Sequence, residues 1–422
     1  MKARALGWLK ALGPGLITGA ADDDPSGIST YSVAGAVTGY SMLWIALITT
    51  PMMAVIQGMC ARIALVSGEG LAALMRKRLP LWAAYGLGLI VVVANTFNAG
   101  ADIAGMAASA HLVAGLPVVA WVAFFGVVLV IMQVYFSYRT LAKVLKWLAL
   151  TLFAYIITAF VVHPPWAHVF LSLIVPQVHL NAVWLSTAVG VMGTTITPYL
   201  FFWQASLEIE EEKAAGKATI KARRGSDPQE IKAMHADVNT GMIFSNVVAM
   251  FIIVTTAATL GAHGNHQIGT ASQAAEALRP LAGNFAYLLF ALGMVGTGLL
   301  AVPALTGSSA YVSAELFKFR EGLDEKPRKA RKFYAVLVAG VVAGAIMAGI
   351  GIDPIAALFW SAVLNGVAAV PLIAVIVWLA SNHALMGRWR SSLIARWWGW
   401  ATVALMGATA VAMFYFMAKG SS

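Results

Sequence analysis

Long apolar runs, repeated along the whole chain and separated by short polar segments, leave this sequence few folds to choose from. Bounded by glycine, proline and charge, eleven runs cover residues 12–37, 43–66, 82–113, 117–136, 147–162, 183–209, 240–260, 285–317, 333–350, 355–379 and 397–417. Most reach the roughly 20 residues that carry a helix across a hydrocarbon core about 30 Å thick. No water is available there to backbone N–H and C=O groups, so each run must satisfy its own ladder, as an α-helix does. The charged fraction supports this: it is 11%, against about 25% in soluble domains. The expected class is an all-α polytopic membrane protein.

The net charge of +10 would suit nucleic acid if it were spread over one surface, but it is segregated. All but Arg62, Arg279 and Lys419 of the 28 Lys and Arg residues fall in alternate loops, within 2–10, 76–78, 139–146, 213–232, 318–332 and 388–396. Loops enriched in this way are cytoplasmic. The expected partner is therefore the bilayer and not nucleic acid, in the inner (plasma) membrane, with the N-terminus inside and the C-terminus outside. Arg62, near the inner end of the second run, is expected to snorkel to the interface. Lys2 and Arg4 before a short apolar run imitate a secretory leader. Cleavage at Ala20-Ala21 would discard half of the first span, so the segment is expected to stay. The single cysteine, Cys60, excludes an intrachain disulfide framework and a cysteine metal cluster.

Two runs are interrupted at their midpoints. The first holds Asp22-Asp23-Asp24-Pro25-Ser26-Gly27. Each charge at that depth costs at least ~2.5 kcal/mol, so three in succession need a compensating role. Proline and glycine beside them free backbone carbonyls, which is tolerated in lipid only where they line a protein-buried cavity. The sixth run holds Gly193-Thr194-Thr195-Ile196-Thr197-Pro198-Tyr199. Breaks in spans one and six fit a five-plus-five plan, and paired interrupted segments point to an inverted-repeat transporter with a midplane site. The expected organisation is a single transmembrane domain, with a first repeat over about 11–163, a second over about 183–380 and an extra helix over about 397–417. Acidic side chains and loose carbonyls at a helix break outline a cation site.

Asn95, Asn98 and Asp102 share one face of the third helix. Asp102, an intramembrane acid, is expected to face the cavity or a proton path, and the asparagines to hold helices together. Asn365 is either a ligand or a packing polar group. Asp353-Pro354 signals a helix start, and Gly340 and Gly344 permit close helix packing. His163, His168, His179, His263 and His266 fall in predicted outer loops at spacings that match no metal site. Residues 208–237 read as a solvated connector, with a helix extension through Glu210-Glu211-Glu212 and a flexible turn at 223–228. No nucleophile–base set or phosphate loop is present, so neither an enzyme nor a cofactor is expected.

Several motifs carry a resemblance. Leu12-Gly13-Pro14-Gly15, Asp24-Pro25, the segment Thr38-Gly39-Tyr40-Ser41-Met42-Leu43-Trp44, Ala61-Arg62, Ser67-Gly68-Glu69-Gly70, Ala101-Asp102-Ile103-Ala104 and Gly193-Thr194-Thr195-Ile196-Thr197-Pro198 together resemble the Nramp (natural resistance-associated macrophage protein) family of divalent-metal transporters. The resemblance implies a LeuT-type fold of eleven helices with helices 1 and 6 broken. It also implies an ion held by the Asp24 carboxylate and the carbonyls of Ala21 and Thr194. This chain departs from the pattern in having Gly27 for an asparagine, Thr197 for a methionine and Tyr199 for a histidine. Asp22 and Asp23 stand where the family has uncharged residues, and Asn365 lies near a polar contributor to the site. Replacing a thioether by the Thr197 hydroxyl and adding carboxylates gives all-oxygen donors, which suit Mg²⁺, Mn²⁺ or Ca²⁺. In this the chain resembles Nramp-related magnesium transporters. The family's proton path is reduced to Asp102, with Tyr199 in place of its histidine, Gly105 in place of its glutamate and no charge within 333–350.

The expectation is thus a monomeric divalent-cation transporter for a hard ion such as Mg²⁺ or Mn²⁺, working by alternating access without strict proton coupling. The ion is substrate, not cofactor. Alternatives are a proton-coupled Mn²⁺/Fe²⁺ transporter of the same family, an organic-cation or amino-acid transporter of the same fold, or a non-transporting metal receptor with residues 208–237 as its output.

Overall fold

Proline and glycine set the helix boundaries that organise this computed structural model, which describes residues 13–136, 150–263 and 268–420. The basic groups at 2–10 and 139–146, Leu12, residues 147–149 and His266 lie outside the described residues.

The first run forms two helices, α1 (Pro14–Asp22) and α2 (Pro25–Thr38). Then follow α3 (Leu43–Ser67), α4 (Leu71–Arg78), α5 (Leu81–Ala114) and α6 (Val118–Tyr135). The described part of the fifth run is a tight turn, Leu150–Leu152, leading into α7 (Phe153–Val162), with α8 (Trp166–Ile174) after it. The sixth run is again two helices, α9 (Ala182–Thr195) and α10 (Pro198–Ala214). A short α11 (Ile220–Arg223) precedes α12 (Pro228–Thr259), and two small helices, α13 (Ala271–Glu276) and α14 (Arg279–Ala282), lead to α15 (Ala286–Phe317). The chain continues through α16 (Arg331–Gly349), α17 (Pro354–Ser381), α18 (His383–Met386) and α19 (Leu393–Ala418). Among the described residues nine helical stretches are long and apolar enough to cross a membrane, one of them, Pro25–Ser67, covering parts of two of the eleven runs. Those two runs fall together, α2 and α3 forming one stretch across a short turn, and among the described residues of the fifth run ten form an α-helix.

Both broken helices press their first halves onto an unbroken helix at glycine contacts. A Cβ on Gly19 would lie 2.4 Å from the Gly241 carbonyl oxygen, so α1 and α12 touch backbone to backbone. A Cβ on Gly193 would lie 2.2 Å from the Ala362 carbonyl oxygen and 2.3 Å from the Gly366 nitrogen, which joins α9 to α17 in the same way. Small residues at these crossings are what lipid-embedded helices use in place of a hydrophobic drive. Gly340 and Gly344 do pack closely, the latter against the Gly100 backbone of α5.

Three expectations need correction. The segment at 223–228 is not a flexible turn: Asp227 and Glu230 form a reciprocal capping box ahead of Pro228, so α12 starts well before residue 240. Nor is the connector fully solvated. Arg223 is buried and donates to the carbonyls of Gly68 at 3.2 Å, Lys217 at 3.1 Å and Ala218 at 2.9 Å. Arg62 does not snorkel: it is only 9% exposed and donates to Ser391 Oγ at 2.7 Å. The segment before α19 folds over it. A smaller difference is that His168 sits on helix α8, not in a loop.

Asp237 of α12 does work the sequence did not announce. Its carboxylate accepts from the N–H groups of Gly13 at 2.8 Å, Gly15 at 2.6 Å and Leu16 at 3.3 Å. These are the orphan donors at the start of α1, which has no side-chain cap of its own.

Candidate metal site

The two breaks share one backbone device. A residue before proline is pushed out of the helical region, and Asp24 and Thr197 accordingly adopt ψ of 170° and 138°. Pro25 and Pro198 then start the next helix at its first turn, where a missing N–H costs nothing. Asp24 caps α2: its Oδ1 accepts from Gly27 N at 2.6 Å and from Ser26 Oγ at 2.8 Å. Thr197 makes no such cap, and its buried hydroxyl has no partner. The breaks are tied together by two bonds. Tyr199 donates its hydroxyl to the Ala21 carbonyl at 2.6 Å, and Tyr31 shares a bond with Thr195 Oγ1 at 2.8 Å.

Asp22, Asp23 and Asp24 are all buried, but they do not gather at one point. Among the described residues no three His, Cys, Asp or Glu side chains converge as a metal cluster. The turn through the break sends them to different neighbours. One hydroxyl, Ser245 Oγ of α12, donates to Asp22 Oδ2 at 2.5 Å and Asp23 Oδ1 at 3.1 Å. A hydroxyl has one proton, so the two carboxylates share a single donor, and Asp22 Oδ1 and Asp23 Oδ2 have no partner. Asp24 Oδ2 instead accepts from Asn98 Nδ2 at 3.1 Å, and the same amide reaches Asp102 Oδ2 at 3.4 Å. Asp102 Oδ1 accepts from Ser26 N at 3.2 Å. Asn365 Nδ2 donates to Asn98 Oδ1 at 3.1 Å, which leaves Asn365 Oδ1 without a partner.

Oxygens from both breaks ring the space beside Gly27. A Cβ there would lie 3.2 Å from Thr194 Oγ1, 3.3 Å from Asp24 Oδ1 and 3.4 Å from the Asp22 carbonyl oxygen. The buried Thr194 hydroxyl has no partner either. A carboxylate, a hydroxyl and a carbonyl are the donor set of hard divalent cations, which take oxygen ligands at about 2.0–2.6 Å. The Ala21 carbonyl keeps one lone pair free of the Tyr199 bond.

Of the residues picked from sequence, Asp24 and Thr194 border this space with their side chains and Asp22 only with its backbone carbonyl, while the carboxylates of Asp22 and Asp23 both turn to Ser245. Asn365 and Asp102 reach Asp24 only through Asn98 and Ser26. Asn95 does hold helices together, donating to Leu305 O and Ser309 Oγ of α15, both at 3.1 Å. Asn98 also bridges helices, accepting from Asn365 of α17, and is in addition the hub beside Asp24. Its i,i+4 spacing to Asp102 was the signal that could have placed it there. Ser245 carried no signal, being one serine in an apolar helix.

A helical bundle with two broken helices and buried acids between them is the architecture of alternating-access transporters. In fold it is similar to the Eremococcus coleocola manganese transporter solved with an aromatic bis-isothiourea substituted compound, with a TM-score of 0.70 and 20% identity over 96% of this chain and 85% of that one. It is also similar to Mhp1, a nucleobase-cation-symport-1 family transporter, with a TM-score of 0.59 and 17% identity over 95% and 90% of the two chains. The fold is the expected LeuT-type bundle. Residues 15–416 match the family described as natural resistance-associated macrophage protein-like, and the chain belongs to the Nramp family of membrane transporters, which are not enzymes. Relatives named divalent metal cation transporter MntH include one from Acidiphilium cryptum strain JF-5, 27% identical over 90% of this chain and 85% of its own. Another, from Klebsiella pneumoniae subsp. pneumoniae, is 26% identical over 94% and 92%.

Proposed function

We propose that this protein carries a divalent metal cation across the membrane by alternating access, and that the cargo is a hard, oxygen-preferring ion such as Mg²⁺ or Mn²⁺. The single observation behind this is that the three atoms nearest a Cβ on Gly27 are all oxygens: Thr194 Oγ1, Asp24 Oδ1 and the Asp22 carbonyl. In this reading the Thr197 hydroxyl, the Ala21 carbonyl and Asn365 Oδ1 would be the further oxygens on which the ion draws, and Asp23 shares Ser245 with Asp22 as a second acidic lobe. Family membership and the MntH relatives support a divalent cation as substrate. The domain is one transporter unit of two repeats and an added helix, acting as a monomer in the inner membrane with its N-terminus in the cytoplasm.

Strict proton coupling is not part of this reading. Tyr199 is committed to the Ala21 carbonyl. At Gly105 a Cβ would meet Leu358 Cδ1 at 2.8 Å and Met294 Cε at 3.1 Å, so an acid there would face apolar side chains. The remaining acid, Asp102, is bonded to Ser26 and Asn98.

Uptake into proteoliposomes, with Mg²⁺, Mn²⁺, Ca²⁺ and Cd²⁺ compared and internal pH followed, tests both parts. Uptake of Mg²⁺ or Mn²⁺ above Cd²⁺ without matching acidification is expected. No uptake of any divalent ion would remove the reading, Cd²⁺ preference would remove the hard-ion part, and acidification in step with uptake would remove the coupling part.

A further inference from the structure

The guanidinium of Arg62 is buried without a carboxylate partner among the described residues, and its Nε has no hydrogen bond. A charge held inside a membrane protein without a partner marks a binding function by default. Arg62 borders an open groove of about 430 Å³ between α3, α12 and α19. His235 of α12 borders it too, with its imidazole lying over Gly58: a Cβ on that glycine would be 3.4 Å from His235 Nδ1. This end of the groove is lined by a guanidinium and an imidazole and by no acid.

The other end is apolar. The groove shares Thr50, Pro51 and Ile243 with a neighbouring one of about 770 Å³ that runs on past Trp398 toward Trp44. One face of α3 forms one wall, through Pro51, Gly58 and Arg62. One face of α12 forms the other, through His235, Asn239 and Ile243. From Arg62 to Pro51 the helix rises roughly 16 Å, about half of a ~30 Å hydrocarbon core. The cationic end thus lies at the membrane face carrying the basic segments 76–78 and 388–396, and the apolar channel runs one leaflet deep and beyond.

We propose that this groove is a binding site for one anionic phospholipid, its phosphate on Arg62 and His235 and an acyl chain along α3 and α12 past Ile243. Basic pockets between transmembrane helices select anionic headgroups, and the continuous apolar channel is what separates a lipid from a free anion. The lipid supplies the counter-charge that Arg62 lacks, at a position apart from the Asp24 site.

Native mass spectrometry of the full chain tests this, using phosphatidylglycerol, phosphatidylcholine of the same acyl composition, or inorganic phosphate. The wild type is expected to retain phosphatidylglycerol roughly tenfold better than phosphatidylcholine. Arg62→Gln is expected to erase that preference, a charge-assisted contact to phosphate being worth about that factor. Ile243→Trp, which narrows the channel and leaves every charge in place, is expected to lower retention of both lipids. Equal retention of the two lipids by the wild type, retention of inorganic phosphate in place of lipid, or undiminished retention by Ile243→Trp would each overturn the proposal. That last variant decides the matter if Arg62→Gln does not fold.

Discussion

The break at residues 23–24 and the break at residues 196–197 use the same extended residue before proline but fill it with opposite chemistry. The first carries three carboxylates and is closed by its own cap, Asp24 on Gly27. The second carries no charge, and its hydroxyls at Thr194 and Thr197 remain without partners. One side thus brings the negative charge and the other brings neutral oxygens. A charged break in lipid is tolerable only if something answers its charge, whereas an uncharged one leaves room to choose which ion does so. On the function proposed above, the first break would supply the affinity for a cation and the second would tune which cation enters.

Changes at the glycine crossings should have the largest effects, and equally on both sides. Gly19→Val and Gly193→Val each drive a side chain into a neighbouring backbone, which places them at or above the upper end of the roughly 1–3 kcal/mol that overpacking costs. Both variants should lose most of their monodisperse peak in size-exclusion chromatography. Survival of either would show that its half-helix is not locked as described.

The acidic lobe should come next, and there the two breaks should diverge. Replacing Asp22 and Asp23 together with Asn removes two buried carboxyl groups that share one hydroxyl, so thermal stability in metal-free buffer should rise. A ligand that binds only the folded state stabilises it by about 2.7 kcal/mol at a hundred times its Kd. The stabilisation that Mn²⁺ gives the wild type should shrink or vanish in the double variant. Unchanged metal-dependent stabilisation would assign those two acids a purely structural role.

The smallest effect belongs to the second break. Thr197→Met places a thioether at the unpartnered hydroxyl and should move the Cd²⁺ to Mg²⁺ uptake ratio upward by about tenfold, since soft ligands favour soft ions. A ratio that stays put would mean the second break does not select the ion.

How much of this was legible in the sequence depended on whether the cause was local. Most helix limits and both breaks were readable because proline and glycine act on their immediate neighbours; the early start of α12 at Pro228 was not. The roles of Asn98, Ser245 and Asp237 were not, because each answers a group more than seventy residues away in the chain. A serine or aspartate inside an apolar helix names no partner until the bundle is assembled. Three adjacent aspartates form one acidic run in the sequence, and adjacency in the chain does not fix convergence in space. A turn of backbone between Asp22 and Asp24 was enough to separate their targets. Arg62 misled for a similar reason, since the segment that covers it, around Ser391, lies far along the chain.

The claim that Asp24 is the charged anchor of a metal site is tested most directly by metal uptake of Asp24→Ala in proteoliposomes, with folding checked by size-exclusion chromatography. The account predicts a protein that still elutes as the wild type does and takes up no Mg²⁺ or Mn²⁺ above background. Uptake at the wild-type rate by a folded Asp24→Ala protein would contradict it.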